Sequence, residues 1–441
     1  MKTEGNVKGL FPLILFLIIF IGSGIITGDF NKMPLLLGFM ISAGFALFLN
    51  RQGEKAPVSK KIDIFLKGAG EPSIMLILVI FLLAGAFYSV AEATGAVEST
   101  VNLGLSILPK NLILPGLFII GCIISFSMGT SIGTITALAP IAIGISQQAD
   151  INLPLVLGTV VGGAMFGDNL SFVSDTTIVA TRSQGVELRD KFRMNGLIVL
   201  PAVVLTVIIL LFFSSGNATV EIGEYSIVKV LPYLSIIIFA LIGINVMGVL
   251  VLGILTSSII GLASSSYTFM ELLGHIQTGM GWMEDIAIIA IITGGIVGLM
   301  NYYGGIQFLL ETLTSRIKTK KGGEAGISAL VSAVDLSTAN NTISIITAGP
   351  LAKEITEKYD IDPRRTASLL DIFSSAFQGI LPYGSQILIC AGLAQISPVQ
   401  IVPYSFYSIL MLVFGSLAIA FGIPKFKRVP TRENISEAKE V

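Results

Sequence analysis

The stretch FGDNLSFVSDTTIVATRSQG, residues 166–185, holds two carboxylates, Asp168 and Asp175, among Asn169, Ser171, Ser174, Thr176 and Thr177. It follows directly on LPLVLGTVVGGAM, an apolar run suited to lipid. A charged side chain at the centre of a bilayer costs roughly 2.5–3.5 kcal/mol on insertion scales, so acids placed there mark ion pathways or proton relays. Every one of these side chains offers oxygen, the ligand a hard cation such as Na+ takes. Burial disfavours the charged form of a carboxylate, and a neighbouring carboxylate disfavours it further. Such an acid is satisfied by a proton or by a sodium ion, and competition between the two is the chemistry of exchange. Asp168 and Asp175 are seven positions apart and share a face on a continuous helix; a break between them aims both at one cavity. The plainer role for either is to cap a half-helix N-terminus, which SDTT suits.

The surrounding elements must be membrane helices. The chain has 441 residues, of which 53% are hydrophobic and 12% charged, with a mean hydropathy of +0.86; a soluble domain carries about 25% charged residues. The composition predicts an all-α polytopic membrane protein. A net charge of −1 argues against nucleic-acid or acidic partners. Cys122 and Cys390 both lie in apolar runs and read as buried core thiols, and His275 is the single histidine. No Cys/His cluster has metal-binding spacing, so no cofactor is expected. The apolar run 9–28 suits a retained spanning helix better than a cleaved signal peptide. Further spans are expected at 33–50, 72–91, 195–214, 228–246, 247–264, 286–301 and 400–421.

Of the 27 basic residues, 24 fall in the N-terminus, the segments 51–67, 182–193, 316–321 and 353–365, and the tail 425–441. Placing all of them in the cytoplasm leaves only Lys32, Lys110 and Lys229 elsewhere. This arrangement follows the positive-inside rule and puts both termini in the cytoplasm of a plasma or inner membrane. It requires ten full crossings, with 113–144 and 326–349 as re-entrant hairpins.

The chain also repeats itself. SMGTSIGTITALAP (127–140) aligns with STANNTISIITAGP (337–350) at an offset of 210, matching Ser127 with Ser337, Ile135 with Ile345 and Pro140 with Pro350. At offset 211, Phe166, Leu170, Ser174, Ile178 and Ala180 match Phe377, Leu381, Ser385, Ile389 and Ala391. The topology runs 72–91 and 286–301 in opposite directions, so the repeats are expected to be inverted: 1–220, with a hairpin near 113–144 and a broken helix near 154–180, and 221–424, with a hairpin near 326–349 and a broken helix near 369–397. Inverted repeats with helices broken at the midplane point to a secondary transporter, because irregular backbone at that depth must be covered by protein or line a wet cavity. The hairpin tips then offer Thr130, Ser131 and Thr134 from the first repeat and Asn340, Asn341 and Thr342 from the second, either as neutral ligands or as plain helix-break chemistry. Asp335, Asp371 and Ser385 are second-repeat candidates. Neither of these acids matches an acid in the first repeat, so the site is expected to be asymmetric in charge.

MGTSIGTITALAP followed by GGAMFGDNLSFVSDTT resembles the NhaC family of sodium/proton antiporters. That family carries Gly-Thr-Ser-Trp-Gly-Thr and then Gly-Asp-Lys-Met-Ser-Pro-Leu-Ser-Asp-Thr-Thr. Ile132 stands in place of the family's Trp, Asn169 in place of its Lys and Phe172 in place of its Pro. The resemblance implies the ion-transporter fold, hairpin tips that bind ions and substrate, and transported Na+ and H+. Some relatives exchange malate for lactate or move amino acids, so coupled transport of an amino acid or small carboxylate is the alternative.

Two other classes fit less well. An intramembrane aspartyl protease also uses two acids, but Met165 fills the position two before Gly167 where a Gly is needed, and no enzyme activity is expected. A channel needs a continuous pore, and no ring of identical acids is present. Glu92 and Glu98 read as interfacial, His275 as a bystander in a loop with Trp282, and Asn217-Ala-Thr as an incidental sequon. A homodimer is compatible with the sequence.

Overall fold

Breaks within helices organise this chain. The computed structural model describes residues 5–27, 33–50, 56–107, 109–171, 174–213, 223–242, 244–315 and 317–424, and every regular element among them is helical. α1 (Phe11–Thr27) and α2 (Leu35–Phe48) pack together, with the Phe16 and Phe39 rings stacked at a centroid distance of 3.9 Å. α3 (Val58–Ala69), α4 (Pro72–Thr94) and α5 (Ala96–Ile107) follow. α6 (Ile113–Met128) and α7 (Ser131–Ala149) make a helix–break–helix unit around Gly129, whose φ of 67° is the left-handed conformation that glycine adopts without a Cβ clash. α8 (Leu153–Leu170) and α9 (Asp175–Gln184) are two pieces of one broken helix, and α10 (Leu188–Phe213) is a long apolar helix.

The second half has the same order. α11 (Ile227–Leu241), α12 (Val246–Ala263), α13 (Phe269–Trp282), α14 (Glu284–Tyr302) and α15 (Gly305–Ser315) lead to a second helix–break–helix unit. That unit is α16 (Lys320–Thr338) and α17 (Asn341–Lys358), turning at Ala339 with φ 50°. The broken pair α18 (Pro363–Gln378) and α19 (Ser385–Ala394) follows, then the short α20 (Pro398–Ile401) and α21 (Phe406–Phe421). Among the described residues, seven helical stretches are long and apolar enough to cross a membrane, or eight if α19 and residues 398–404, bent by 107°, count as one. α2, α6 and α21 and the segment Ile227–Phe239 of α11 are shorter apolar helices. The chain is a multi-pass, all-helical membrane protein.

The packing comes in mated pairs across the halves. α3 lies on α14 and α13 on α4; α2 meets α14 and α12 meets α4. α7 packs against α19 and α17 against α9, while α8 contacts α21 and α18 contacts α10. Glycine makes the closest of these approaches possible, as at helix–helix contacts in lipid generally. A methyl group on Gly85 of α4 would overlap the Gly279 carbonyl of α13, and one on Gly279 would overlap the Gly85 carbonyl.

Several expectations change. The two hairpin units extend to Ala149 and Lys358, because Pro140 and Pro350 lie inside α7 and α17 rather than ending them. Segment 51–67 is not a plain loop: from Val58 it is the amphipathic α3, with the Phe65 ring pressed on Gly295 and Lys61 buried, donating to the Leu47 carbonyl and Asn50 Oδ1 at 3.1 Å each. Most of segment 182–193 belongs to α9 and α10. The span expected at 400–421 is helical as α21 only from Phe406, after a 3₁₀ turn at Val402–Tyr404 containing Pro403, which has no N–H to give. His275 and Trp282 are on α13, not in a loop, because Thr268 and Glu271 form a capping box that starts the helix. Lys32, residues 51–55, Phe172, Asn217, Arg316 and the tail 425–441 lie outside the described residues.

Gly85→Ala should destabilise the fold by about 1–3 kcal/mol, the usual range for overpacking. The drop is read as a lower melting temperature of the detergent-purified protein. Gly44→Ala, where an added methyl meets open space, should melt as the wild type does.

Candidate functional site

Asp168 sits in the last turn of α8, and its side chain crosses to the break of the first hairpin. Its Oδ2 accepts from Ser131 Oγ at 2.7 Å and its Oδ1 from the Ser131 backbone N–H at 3.2 Å. This satisfies one of the orphan donors that every helix N-terminus leaves, here that of α7. Asn341, the first residue of α17, donates Nδ2 to the same Oδ2 at 3.2 Å. The Asp168 carbonyl, freed by the end of α8, accepts from Thr176 Oγ1 at 2.9 Å and Thr177 Oγ1 at 3.3 Å in α9. The fourth broken element joins through amides. Gln386 of α19 donates Nε2 to Ser131 Oγ at 3.0 Å, and Gln378 at the end of α18 donates Nε2 to Gln386 Oε1 at 2.7 Å and to the Ala339 carbonyl at 3.1 Å. One carboxylate, 4% exposed, thus stands where both hairpin tips and both broken helices meet.

The second acid of the centre is treated differently. Asp371 of α18 is fully buried and pairs with Lys191 Nζ of α10 at 2.8 Å. Asn195 Nδ2 also donates to Asp371 Oδ2 at 2.8 Å, and Asn169 Nδ2 reaches it at 3.5 Å. The same ammonium donates to the Asn169 carbonyl at 2.8 Å and to Thr177 Oγ1 at 2.6 Å, and Tyr407 of α21 gives its hydroxyl to Asn169 Oδ1 at 2.9 Å. Lys191, expected among the cytoplasmic cations, is therefore an internal cation with no exposed surface. Its four-residue spacing from Asn195 at the start of an apolar helix puts both on one face, the one sequence feature that could have set it apart. Asp168 has no Lys, Arg or His partner among the described residues. The lysine contact thus falls on the acid of the second half, Asp371.

A cavity of about 960 Å³ opens beside Asp168. Thr130, Ser131, Ser174, Asp175 and Thr176 line it from the first half, and Asn340, Asn341 and Thr342 from the second. Asp175 is exposed on this wall, and the N-cap of α9 is Ser174, not Asp175. Ile132, in place of the resembled family's Trp, is also on the wall. The remaining expected residues lie behind it. Thr134 gives its hydroxyl to its own helix at Thr130 O, Thr177 holds Lys191, Asn169 holds the Asp371 network, and Ser385 is buried in the first turn of α19 beside Gln386, which does reach the cavity. Asp335 is buried in the last turn of α16, away from the cavity wall. Lys191, Asn195 and Tyr407 are neighbours of the two acids that residue-type reasoning did not find, while Gln378 and Gln386 bound the break expected in the second broken helix, QGILPYGSQ.

Lys191→Met should cost about 3–5 kcal/mol, the range for leaving one partner of a buried ion pair uncompensated, seen as lower melting temperature and yield. Adding Asp371→Asn to it should restore much of that loss. A double variant no more stable than the single would show that Lys191 stabilises by packing rather than by charge.

A family model described as the Na+/H+ antiporter family matches residues 7–215 and again 213–423. The Na+/H+ antiporter NhaC of Alkalihalophilus pseudofirmus is 26% identical over 429 residues, 88% of this chain and 91% of that protein. The Na+/H+ antiporter NhaC of Bacillus subtilis is 26% identical over 96% of this chain and all of that protein. The malate-2H+/Na+-lactate antiporter of Bacillus subtilis is 23% identical over 94% of each. Two tandem matches that together cover nearly the whole length place the chain in the Na+/H+ antiporter family.

Proposed function

We propose that this chain exchanges Na+ for H+ by alternating access, with Asp168 as the carboxylate for which the two compete. The observation that carries this reading is the contrast between the two central acids. Asp371 has a built-in lysine, whereas Asp168, equally dry, has only hydroxyl and amide donors and needs a mobile cation. Ser131 and Thr130 add oxygen at the first tip, and Asp175 on the cavity wall draws cations towards the site. A proton and a sodium ion cannot both neutralise Asp168, so each half-cycle carries one of them. The proposed cycle contains no covalent step, so on this reading the chain works as a carrier. The cavity wall includes Glu71–Ser73, which follow the basic segment 51–67 in the chain, and this supports an inward-facing state with both termini in the cytoplasm of the plasma membrane.

In proteoliposomes carrying an internal pH dye, a Na+ gradient should drive proton movement, and Asp168→Asn should abolish it, because a carboxamide exchanges no proton. Asp175→Asn should keep exchange but raise the KM for Na+ about fivefold, the worth of roughly 1 kcal/mol from an exposed charge nearby. The sign with pH follows from competition: once Asp168 is largely protonated, each further unit of acidity raises the apparent KM for Na+ about tenfold. Exchange by Asp168→Asn at the wild-type rate would refute the assignment.

A second reading has its own support. The cavity is as large as a site for a small organic ligand, and the N-termini of α7, α9 and α17 all border it, which favours an anionic group. The malate–lactate relative fits an organic carboxylate there. Thermal-shift screening decides between the readings. A dicarboxylate or amino acid that stabilises the protein only when Na+ is present favours coupled organic transport, since linkage is reciprocal. A response to Na+ alone favours simple exchange.

A further inference from the structure

One face of α10 carries two arginines and, beyond them, a notch. Arg189, Arg193, Gly196, Leu197 and Leu200 recur at the three- and four-residue spacing that keeps side chains on one side of a helix. Both arginines are exposed, and so are Leu197 at 57% and Leu200 at 60%. Leucines so exposed on a multi-pass helix face lipid, and the two guanidinium groups therefore stand at the headgroup end of a lipid-facing stripe. Among the described residues the Arg193 guanidinium has no ion pair and no hydrogen bond. Asp190, three positions before it, makes no ion pair with it, and its charge is felt by Arg364 of α18.

Two grooves flank this stripe. One, of about 320 Å³, starts at Arg193 and runs between α10 and the end of α8, over Gly196 and Leu200 and against Phe166 and Leu170. The other, of about 480 Å³, lies between α10 and α21, from Pro201 to Phe414, Leu417 and Phe421. Leu197 lines both and forms the ridge between them. Gly196 keeps the first groove open, since a methyl group there would meet nothing within 4 Å. At 1.5 Å per residue, Pro201 is about 12 Å along the axis from Arg193. Half of a bilayer's hydrocarbon core is roughly 15 Å, so both grooves lie in one leaflet, the one at the N-terminal end of α10.

We infer that these grooves hold one two-chain anionic phospholipid, with its phosphate on Arg193 and an acyl chain on either side of Leu197. A guanidinium facing lipid without an acid needs an anion, and its planar fork matches a phosphate bidentately. An acyl chain gains little by leaving other lipid for an apolar groove. The grooves therefore fix where the chains lie, and the charge decides which lipid stays. Arg189, one turn nearer the water, repels a cationic headgroup and favours a lipid of net negative charge. A second copy of the chain fits this face worse: a two-fold axis along the membrane normal through it would bring the arginines towards their own copies. The lipid also reaches the frame of the ion site. Phe166 and Leu170 flank Asp168 and Asn169 in the last turn of α8, and the Phe166 ring is 6.4 Å from that of Tyr407, the donor to Asn169. The end of α8 is thus held from inside by Lys191 and Tyr407 and packed from outside by lipid.

The test is native mass spectrometry of the full-length chain in mild detergent, with phosphatidylglycerol and phosphatidylcholine of equal chain length added in equal amounts. One phosphatidylglycerol should be retained per chain, at least about fivefold in preference to phosphatidylcholine. Arg193→Gln should cut that retention about fivefold, the worth of one cation at an anionic lipid surface. Gly196→Leu, which fills the first groove, should cut it as much while melting no lower than the wild type without lipid. Phosphatidylglycerol should raise the wild-type melting temperature, and inorganic phosphate should not. Equal retention of both lipids, or wild-type retention by Arg193→Gln and Gly196→Leu, would mean that lipid merely coats this face, and the assignment is wrong. A shift with inorganic phosphate as large as that with lipid would leave the grooves no role and overturn it too. A dimer that Gly196→Leu splits would give the face to a second copy instead. All of these outcomes leave the Asp168 reading untouched.

Discussion

A carboxylate removed from water must be neutralised, and the centre of this protein is arranged around two different answers. Asp371 is neutralised once and for all by Lys191, whose ammonium also fastens the Asn169 carbonyl and Thr177. Asp168 receives only dipoles from Ser131 and Asn341, which lower the cost of a charge without cancelling it. A permanent cation at Asp168 would make a stable core and an inert one. Asp168 lies beside Asn169, whose carbonyl Lys191 holds, yet has no such cation of its own among the described residues; on the proposed reading its occupancy depends on what the aqueous phases supply.

The helix breaks are what allow this arrangement at membrane depth. A continuous helix uses every backbone group internally and has nothing to offer an ion. Ending α8 at Leu170 frees the Asp168 carbonyl for Thr176 and Thr177, and starting α7 at Ser131 frees an N–H for the carboxylate. Around this irregular centre the frame is tight: glycine backbones touch between α4 and α13, and the Phe65 ring lies on Gly295 between α3 and α14. The Arg365–Glu324 pair at 3.2 Å, with Arg365 also reaching the Ile423 carbonyl, ties the base of the second hairpin to the end of α21.

Much of this was legible because the informative residues are rare in lipid. Gly129, the run of acids and hydroxyls from Asp168 to Thr177, and STANNT announced the breaks, and the offset of 210 brought the halves together before any coordinate did. What stayed hidden were residues whose type is ordinary and whose setting is not. Lys191 and Lys61 looked like members of basic loops, since a positive-inside count treats every lysine alike, yet both are buried. Gln378 and Gln386 carry no charge and stand among the glycines and serines of a helix break, and Tyr407 sits between Phe406 and Ser408, so none differs in type from its surroundings. In α3 the cations mask the apolar stripe that packs it on α14, so the segment reads from its charge alone. Asn169, expected among the ion ligands, braces Lys191, Asp371 and Tyr407.

The row of amides and hydroxyl running from Gln378 through Gln386 and Ser131 to Asp168 is polarised in one direction, each member pointing its proton at the next acceptor and the last at the carboxylate. Such a row has a second setting. If Asp168 carries a proton on Oδ2 and presents it to Ser131, the serine turns its own proton to Gln386, and both amides invert to follow. Gln378 then shows its oxygen, in place of its NH₂ group, to the Ala339 carbonyl at the bend of the second hairpin. Attraction becomes repulsion at a place where the backbone already holds a non-glycine residue in a left-handed turn. Protonation of Asp168 would then be felt at the bend of the second hairpin, through dipoles that reverse while no charge leaves its place.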